Sequence, residues 1–434
     1  MSKDYVIVFE DEYYKGFYPI SISHPTFDIL AGAKTNLARI QHHFAEFKIV
    51  KSCRQNLSNH LNGLTGETLR DLSQSQFNKL ILINGRVVLR KCDLDFINEL
   101  KKQDDCVSYV QNGNLLAAIL PPNFIKRFAQ ELALLSHEGS CQNIIEKSNK
   151  LQHIETLTFS HIWEPMLINP KIIESDFNEY YKDINSKKNI GETSAYGRDE
   201  IYADDHATAD AASVIDSREG PVIIERRVEI KPFTYLAGPA FIGTGCRLVG
   251  GKITNGCSLG SGCRVGGELE NTIIIGNSNK YHEGFIGHSY IGEWVNLGAL
   301  TTNSDLANNY SEISVKQNGT VTRTGSIKIG AFIGDHTKTG IGMTLNTGSV
   351  IGFSCNLFGG SLILEKEIPS FAWGNDSLRS TVRLSQAIET AEIVLKRRNF
   401  HLDKNHSQMF KHIYDQSKNF REIWIKRGRR SSQN

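Results

Sequence analysis

The chain has 434 residues, with 49 Lys or Arg against 47 Asp or Glu and a formal charge of +2. That length exceeds what one hydrophobic core usually organises and predicts two domains. The balanced charge excludes a global field for nucleic acid or an anionic membrane, so partners must be recognised locally. No run of about 18 apolar residues occurs, and the opening MSKDYVIVFEDEYY puts acidic residues where a signal peptide needs apolar ones, so a cytoplasmic location with no membrane contact is expected. The eight cysteines, at 53, 92, 106, 141, 246, 257, 263 and 355, contain no CxxC pair. They are expected to be small apolar fillers rather than a zinc or disulfide set, Cys257 and Cys263 within repeats.

Residues 1–177 read as an α/β domain, with apolar strands at Tyr5 to Phe9, Phe47 to Val50 and Leu80 to Ile83 and a hairpin across Gln111-Asn112-Gly113-Asn114 into Leu115 to Leu120. Residues 178–218 are polar and rich in Lys, Asp, Gly, Ser and Ala, which predicts a linker. From 219 to 370 a six-residue period appears. Branched aliphatics stand at Ile224, Ile230, Leu236, Ile242 and Leu248, then at Ile253, Leu259 and Val265, at Ile291 and Leu297, and at Ile333, Thr339, Leu345, Ile351, Leu357 and Ile363. One inward side chain per six residues fits a triangular coil of three short strands, eighteen residues to the turn, and hence a left-handed parallel β-helix. Neither the period of two of an ordinary strand nor the 3.6 of a helix accounts for it. Residues 371–434 return to helix. Leu384, Ile388, Ala391 and Leu395 share one face, Met409, Ile413, Phe420 and Trp424 suggest a second helix, and the two are expected to cap the open end of the coil. The closing KRGRRSS reads as a solvated, frayed end.

The segment NSNKYHEGFIGHSYIGEWVNLGALTTNSD, from Asn277 to Asp305, breaks the period. A β-helix interior needs none of its Lys, His, Glu, Tyr, Asn or Asp, so a site on an outer face is expected here, followed at 303–326 by a loop thrown out towards a neighbouring subunit. Acyl transfer from a thioester suits these residue types. An attacking amine must lose a proton, and an imidazole, titrating near 6.5 when unperturbed, accepts one near neutrality. His282 is the candidate base, backbone N–H groups near Gly298 and Ala299 would stabilise the oxyanion, and Lys280 would hold a phosphate. Taken alone His282 is a weak signal, since a lone His on a solenoid is more often a surface or corner residue.

The repeats and this segment resemble the acetyltransferase half of the bifunctional UDP-N-acetylglucosamine pyrophosphorylase and glucosamine-1-phosphate N-acetyltransferase family. The whole chain, Trp163 to Asn169 and QAIETAEIVLKRRN included, is similar to a variant branch described as sugar nucleotidyltransferases with a hexapeptide-repeat domain. The resemblance implies that His282 deprotonates the sugar amine, that Asn296 keeps the family's Asn, and that Ala299 meets the thioester carbonyl of acetyl-CoA or another acyl-CoA. Tyr290, Asn303 and Asp305 join Lys280, Phe285 and Asn296 as substrate-binding candidates. Phe285 replaces the family's Tyr, and Gly298-Ala299-Leu300-Thr301 replaces GAGT. The implied substrate is a sugar phosphate or sugar nucleotide, and the implied assembly a homotrimer.

Residues 1–177 then correspond to a degenerate sugar nucleotidyltransferase domain. Its Gly-rich phosphate loop is missing; His24 stands where the branch has Arg; Asn84-Gly85-Arg86 stands where relatives carry a metal-binding Asp. Mg²⁺ is implied only if this domain transfers nucleotides, to give a UDP-sugar. Two other functions remain open: a zinc-dependent β-helix enzyme using His282, His288 and His336, and a scaffold or regulator that binds sugar nucleotides without turnover.

Overall fold

The computed structural model describes residues 4–58, 78–122, 139–184 and 190–431, with Leu132, Leu135 as isolated positions. It forms two units, one of Met1–Phe17, His24–Ile29 and Lys34–Ser160 and one of Tyr18–Ser23, Leu30–Ala33 and His161–Asn434. Among the described residues no helix is long and apolar enough to cross a membrane.

The first unit is built on a six-stranded sheet of β1 (Tyr5–Phe9), β2 (Lys48–Ser52), β3 (Leu80–Asn84), β4 (Val107–Gln111), β5 (Asn114–Leu120) and β6 (Lys150–His153), in the order β2-β1-β3-β5-β4-β6. β1 runs parallel to β2 and β3, while β5 is antiparallel to both β3 and β4. The expected hairpin is present, with Asn112 at φ 50° and Gly113 at φ 80° in its turn, the left-handed backbone that Asn and Gly accept most readily. The central strands are apolar throughout because both faces are covered. Val6, Val8, Ile81 and Ile83 pack on one side, and Ile7, Phe9, Leu80 and Leu82 on the other. Helices α1 (Asn36–His43), α2 (Leu94–Lys102) and α3 (Ser140–Lys147) complete the described part.

The second unit is a solenoid of three parallel faces. The first face stacks nine strands from Ile201–Ala203 to Glu367–Ile368. The second runs through Glu229–Ile230, and the third through Tyr235–Ala237. Every aliphatic of the predicted period is buried, and the three inward columns, with Cys246, Cys257, Cys263 and Cys355 as fillers, make one core. The coil begins earlier than the sequence suggested. Ser194–Tyr196 pairs with Val214–Asp216, and Ile201–Ala203 pairs with Val222–Ile224, so the stretch expected to be a linker is largely solenoid. Besides Ile190 and Ile215, its inward residues are small, Ala203, Ala207 and Ala209, which hid the period among polar neighbours. The boundary expected at 177 also moves. Helix α4 (Trp163–Asp176) belongs to this unit, where the Asn169 amide donates to the Gly256 carbonyl and to Ser258 Oγ and accepts from Gly32 N–H.

Residues 303–326 are not thrown outward. A hairpin of Ser314–Gln317 and Thr320–Arg323 folds back on the unit's own coils, with Ile313 and Val315 buried and Gly319 N–H donating to the Glu367 carboxylate. The apolar pair pins it there. At the C-terminus three helices stand where two were expected: α5 (Leu384–Lys396), α6 (Lys404–Gln416) and α7 (Lys418–Ser431). Trp424 on α7 is 2 % exposed and joins the solenoid core, so this helix does cap the coil. It runs on through the segment expected to fray.

Candidate functional site

The corner between the second and third faces carries Tyr281, His282, Glu283 and Gly284 in one coil and Gly298 to Thr301 in the next. Leu300 N–H donates to the Glu283 carbonyl at 2.7 Å, and Gly284 lies so near the next coil that a Cβ there would sit 2.3 Å from the Thr301 carbonyl oxygen. His282 is exposed, and its imidazole has no hydrogen-bond partner among the described residues; the ring meets only that of Tyr281, edge-on at 5.3 Å. His282 and Ala299 thus lie on successive coils of one corner. Of the two expected oxyanion donors, Gly298 N–H is taken by the Thr339 carbonyl at 3.1 Å and hydroxyl at 3.0 Å. Ala299 gives its carbonyl to Gly342 N–H, and its own amide has no partner among the described residues.

The inward columns continue through this segment, with one step of five residues between Ile286 and Ile291. Ile274, Lys280, Ile286, Ile291, Leu297 and Asn303 all hold inward positions, with Lys280 opposite Val265 and Asn303 opposite Leu345. Only aliphatic residues were counted in the sequence, so two polar members of the columns were taken for surface groups. Lys280 is 1 % exposed and does not face a phosphate. Its amine donates to the carbonyls of His282 and Gly266, and burial pushes its pKa down to about 8 against a small opposing pull from Glu283. Asn303, also 1 % exposed, clamps Gly287, accepting from its N–H and donating to its carbonyl, both at 3.0 Å. Tyr290 is fully buried, and its hydroxyl both accepts from and donates to the backbone of Leu30, 2.9 and 3.1 Å away. These three residues hold the coil together and are not presented to a substrate.

The remaining candidates divide between two places. Asn296 is exposed on the second face, its amide carbonyl accepting from Asn279, which in turn accepts from Arg398. Phe285 lies outward on the third face, its ring against Gly287 and beside Asp305. At the corner beyond it, His288 Nδ1–H donates to Asp305 Oδ2 at 2.7 Å. Burial works against ionisation of Asp305, but the His288 hydrogen bond and charge, with Lys328 behind, hold its carboxyl below the usual range. The histidines of the zinc reading have separate surroundings. His336 is packed among Trp294, Phe353 and Phe410, with centroids 6.4, 5.5 and 5.0 Å away, and His288 is bound to Asp305. One signal went unused in the sequence: Thr339 interrupts an aliphatic column, and its hydroxyl meets that of Thr301 at 2.7 Å.

In the first unit, the carboxyl ends of the parallel strands, where α/β sheets hold their ligands, carry a closed set of charges. Arg86 grips Asp11 through Nε at 2.9 Å and Nη2 at 2.7 Å and reaches the Phe159 carbonyl, while Asn84 donates to Asp11 at 2.7 Å. Arg54 pairs with Glu10, which also accepts Thr26 N–H; burial raises the Glu10 carboxyl pKa despite that partner. The rings of Tyr13 and Tyr14 cover the guanidiniums of Arg86 and Arg54 at 4.6 and 4.4 Å. Asp11 is 4 % exposed and Glu10 fully buried. Carboxylates so engaged do not fit the hard oxygen cage of a Mg²⁺ ion.

The fold sets an α/β unit on a mixed six-stranded sheet beside a parallel solenoid of six-residue repeats in one chain. Residues 6–184 match the model of a family described as sugar nucleotidyl transferase. A bifunctional sugar-1-phosphate nucleotidylyltransferase/acetyltransferase of Sulfurisphaera tokodaii is 31% identical over 206 residues, covering 44% of this chain and 48% of that protein. The bifunctional protein GlmU of Methanocaldococcus jannaschii is 31% identical over 228 residues, 46% of this chain and 49% of the other. The chain thus spans about half the length of the curated relatives it matches. A solved UDP-N-acetylglucosamine acyltransferase of Francisella novicida covers 54% of this chain and 88% of its own at 14% identity and a TM-score of 0.25, too distant to bear on function. The resemblance drawn from the repeats and the polar segment is borne out by the two bifunctional relatives.

Proposed function

We propose that the solenoid unit transfers an acyl group from acetyl-CoA, or another acyl-CoA, to the amine of an amino-sugar phosphate or its nucleotide. The observation that carries this reading is the exposed, unpartnered His282 on the corner that stacks against Gly298 to Leu300. The amine nitrogen attacks the thioester carbonyl, the C–N bond forms and the C–S bond breaks. His282 takes the amine proton and returns it to the leaving thiolate. Ala299 N–H is the donor placed to meet the developing oxyanion, and Phe285 and Asn296 flank the corner as substrate contacts. The reaction belongs in the cytoplasm, and the assembly is a homotrimer whose neighbours complete each corner.

The test is incubation with acyl-CoA donors and a panel of amino-sugar phosphates and UDP-sugars, read by mass spectrometry. Product with an acyl mass increment, lost in His282→Ala, supports the reading; turnover by that variant at the wild-type rate overturns it. Sedimentation of an active, stable monomer would remove the trimer. A second reading adds nucleotidyl transfer by the first unit. The family match favours it, and the engaged Glu10 and Asp11 weigh against it. Pyrophosphate release from UTP with a sugar 1-phosphate would decide for it.

A further inference from the structure

The second inward column runs Ile230, Leu248, Val265, Lys280, Leu297. Lys280 is the one cation in it, in the coil that bears His282. Packing alone does not account for a lysine there, because a buried ammonium loses hydration worth several kcal/mol and any aliphatic residue would fill the position. What the amine does reach is the backbone of the corner. It donates to the carbonyls of His282 and Gly266. A Cβ on Gly267 would meet Lys280 Nζ, the His282 carbonyl and the Gly284 carbonyl within 2.8 to 2.9 Å, so these groups converge on one point beneath the loop. Gly267, at φ 69°, leaves the room for them.

We propose that Lys280 is a positioning residue for His282, its ammonium fixing the 281–284 corner from inside the coil so that the imidazole is presented to the amine. The proposal rests on the reading of His282 as base. The charged neighbours of the amine are few. Glu283 lies within its field; Glu268, one coil below, is ion-paired with Lys252 at 2.8 Å; Gly266, Gly267, Leu300 and Thr301 of the flanking coils are uncharged. The ammonium holds the backbone on which the imidazole is mounted, so the lysine orients the base from beneath the corner.

The experiment uses full-length Lys280→Met and Lys280→Leu, which keep the bulk and remove the amine. The expected result is a melting temperature equal to or above wild type, since a buried charge gives way to an apolar side chain. With it, kcat falls about 10²-fold, the loss that a misplaced catalytic group of about 1 Å brings, while KM changes little. Unchanged kcat, a loss carried by KM instead of kcat, or unfolding of both variants would each overturn the proposal, the last because the amine would then be only structural. His282→Ala in the same assay separates the layers. If that variant keeps its rate the base reading falls; if it is inactive while Lys280→Met is normal, only the positioning role falls.

Discussion

The two units treat their charged residues in opposite ways. At the strand ends of the α/β unit Glu10, Asp11, Arg54 and Arg86 neutralise one another in near-complete burial. At the solenoid corner the His282 imidazole stands in solvent with no partner among the described residues, while Lys280, which holds its backbone carbonyl, is hidden inside the coil. A group engaged on all sides is part of the fold; a reactive group must keep a lone pair or proton for the substrate. The contrast supports the proposal of acyl transfer at the solenoid corner and a structural task for the first unit's charges, beside the match of residues 6–184 to the sugar nucleotidyl transferase model.

The largest expected effect tests the open side of that contrast. His282→Ala should lower acyl transfer by roughly 10² to 10⁴ with the melting temperature held, as no interior aliphatic is touched; His288→Ala, breaking the bond to Asp305, should instead cost stability or affinity more than kcat.

The closed side answers to Arg86→Met, which strands the Asp11 carboxylate and should destabilise the first unit by about 3–5 kcal/mol in denaturant titration. Joint replacement, Asp11→Leu with Arg86→Met, should recover most of this. If the single variant instead gained nucleotidyl transfer, the charges would be masking a site. Trp424→Ala opens the capped end of the solenoid core and should cost about 3–5 kcal/mol, read as an earlier loss of the coil than of the α/β unit.

Two pH effects are smaller. The Asp305 carboxyl has a folded pKa below its unfolded value of about 3.9, so its contribution is present above about pH 4 and lost as pH falls through the folded value. Asp305→Asn should therefore be less stable than wild type at neutrality by about 1–2 kcal/mol, and the gap should close in acid. Lys280 has the same sense in a higher window, although here it is the charged form that burial disfavours. Its folded pKa, about 8, lies below the unfolded value of about 10.4, so the unfolded chain binds more protons between them and wild-type stability rises with pH across that window. The advantage expected for Lys280→Met should shrink over the same range; a constant gap would mean that the amine is not buried as a cation.

The period of six was legible because each inward side chain is decided locally: a triangular coil accepts one residue per strand, and an aliphatic there is rewarded wherever it falls. The same rule misled where the inward residue was small or polar. Ala203 and Ala209 concealed the first coils, and Lys280 and Asn303 were read as ligand-binding because such residues are usually outside.

By itself the sequence determined the two-part architecture, the solenoid and the chemical identity of the candidate base, since periodicity and residue type are properties of the chain. Only the tertiary structure decided which polar residues are free to react. Whether the hydroxyl of Tyr290 meets Leu30, whether Asp11 meets Arg86, and whether the amine of Lys280 turns inward to the carbonyl of His282 depend on partners distant in sequence or on the direction of a side chain. A buried polar group must find such partners, and those that succeed are withdrawn from the substrate.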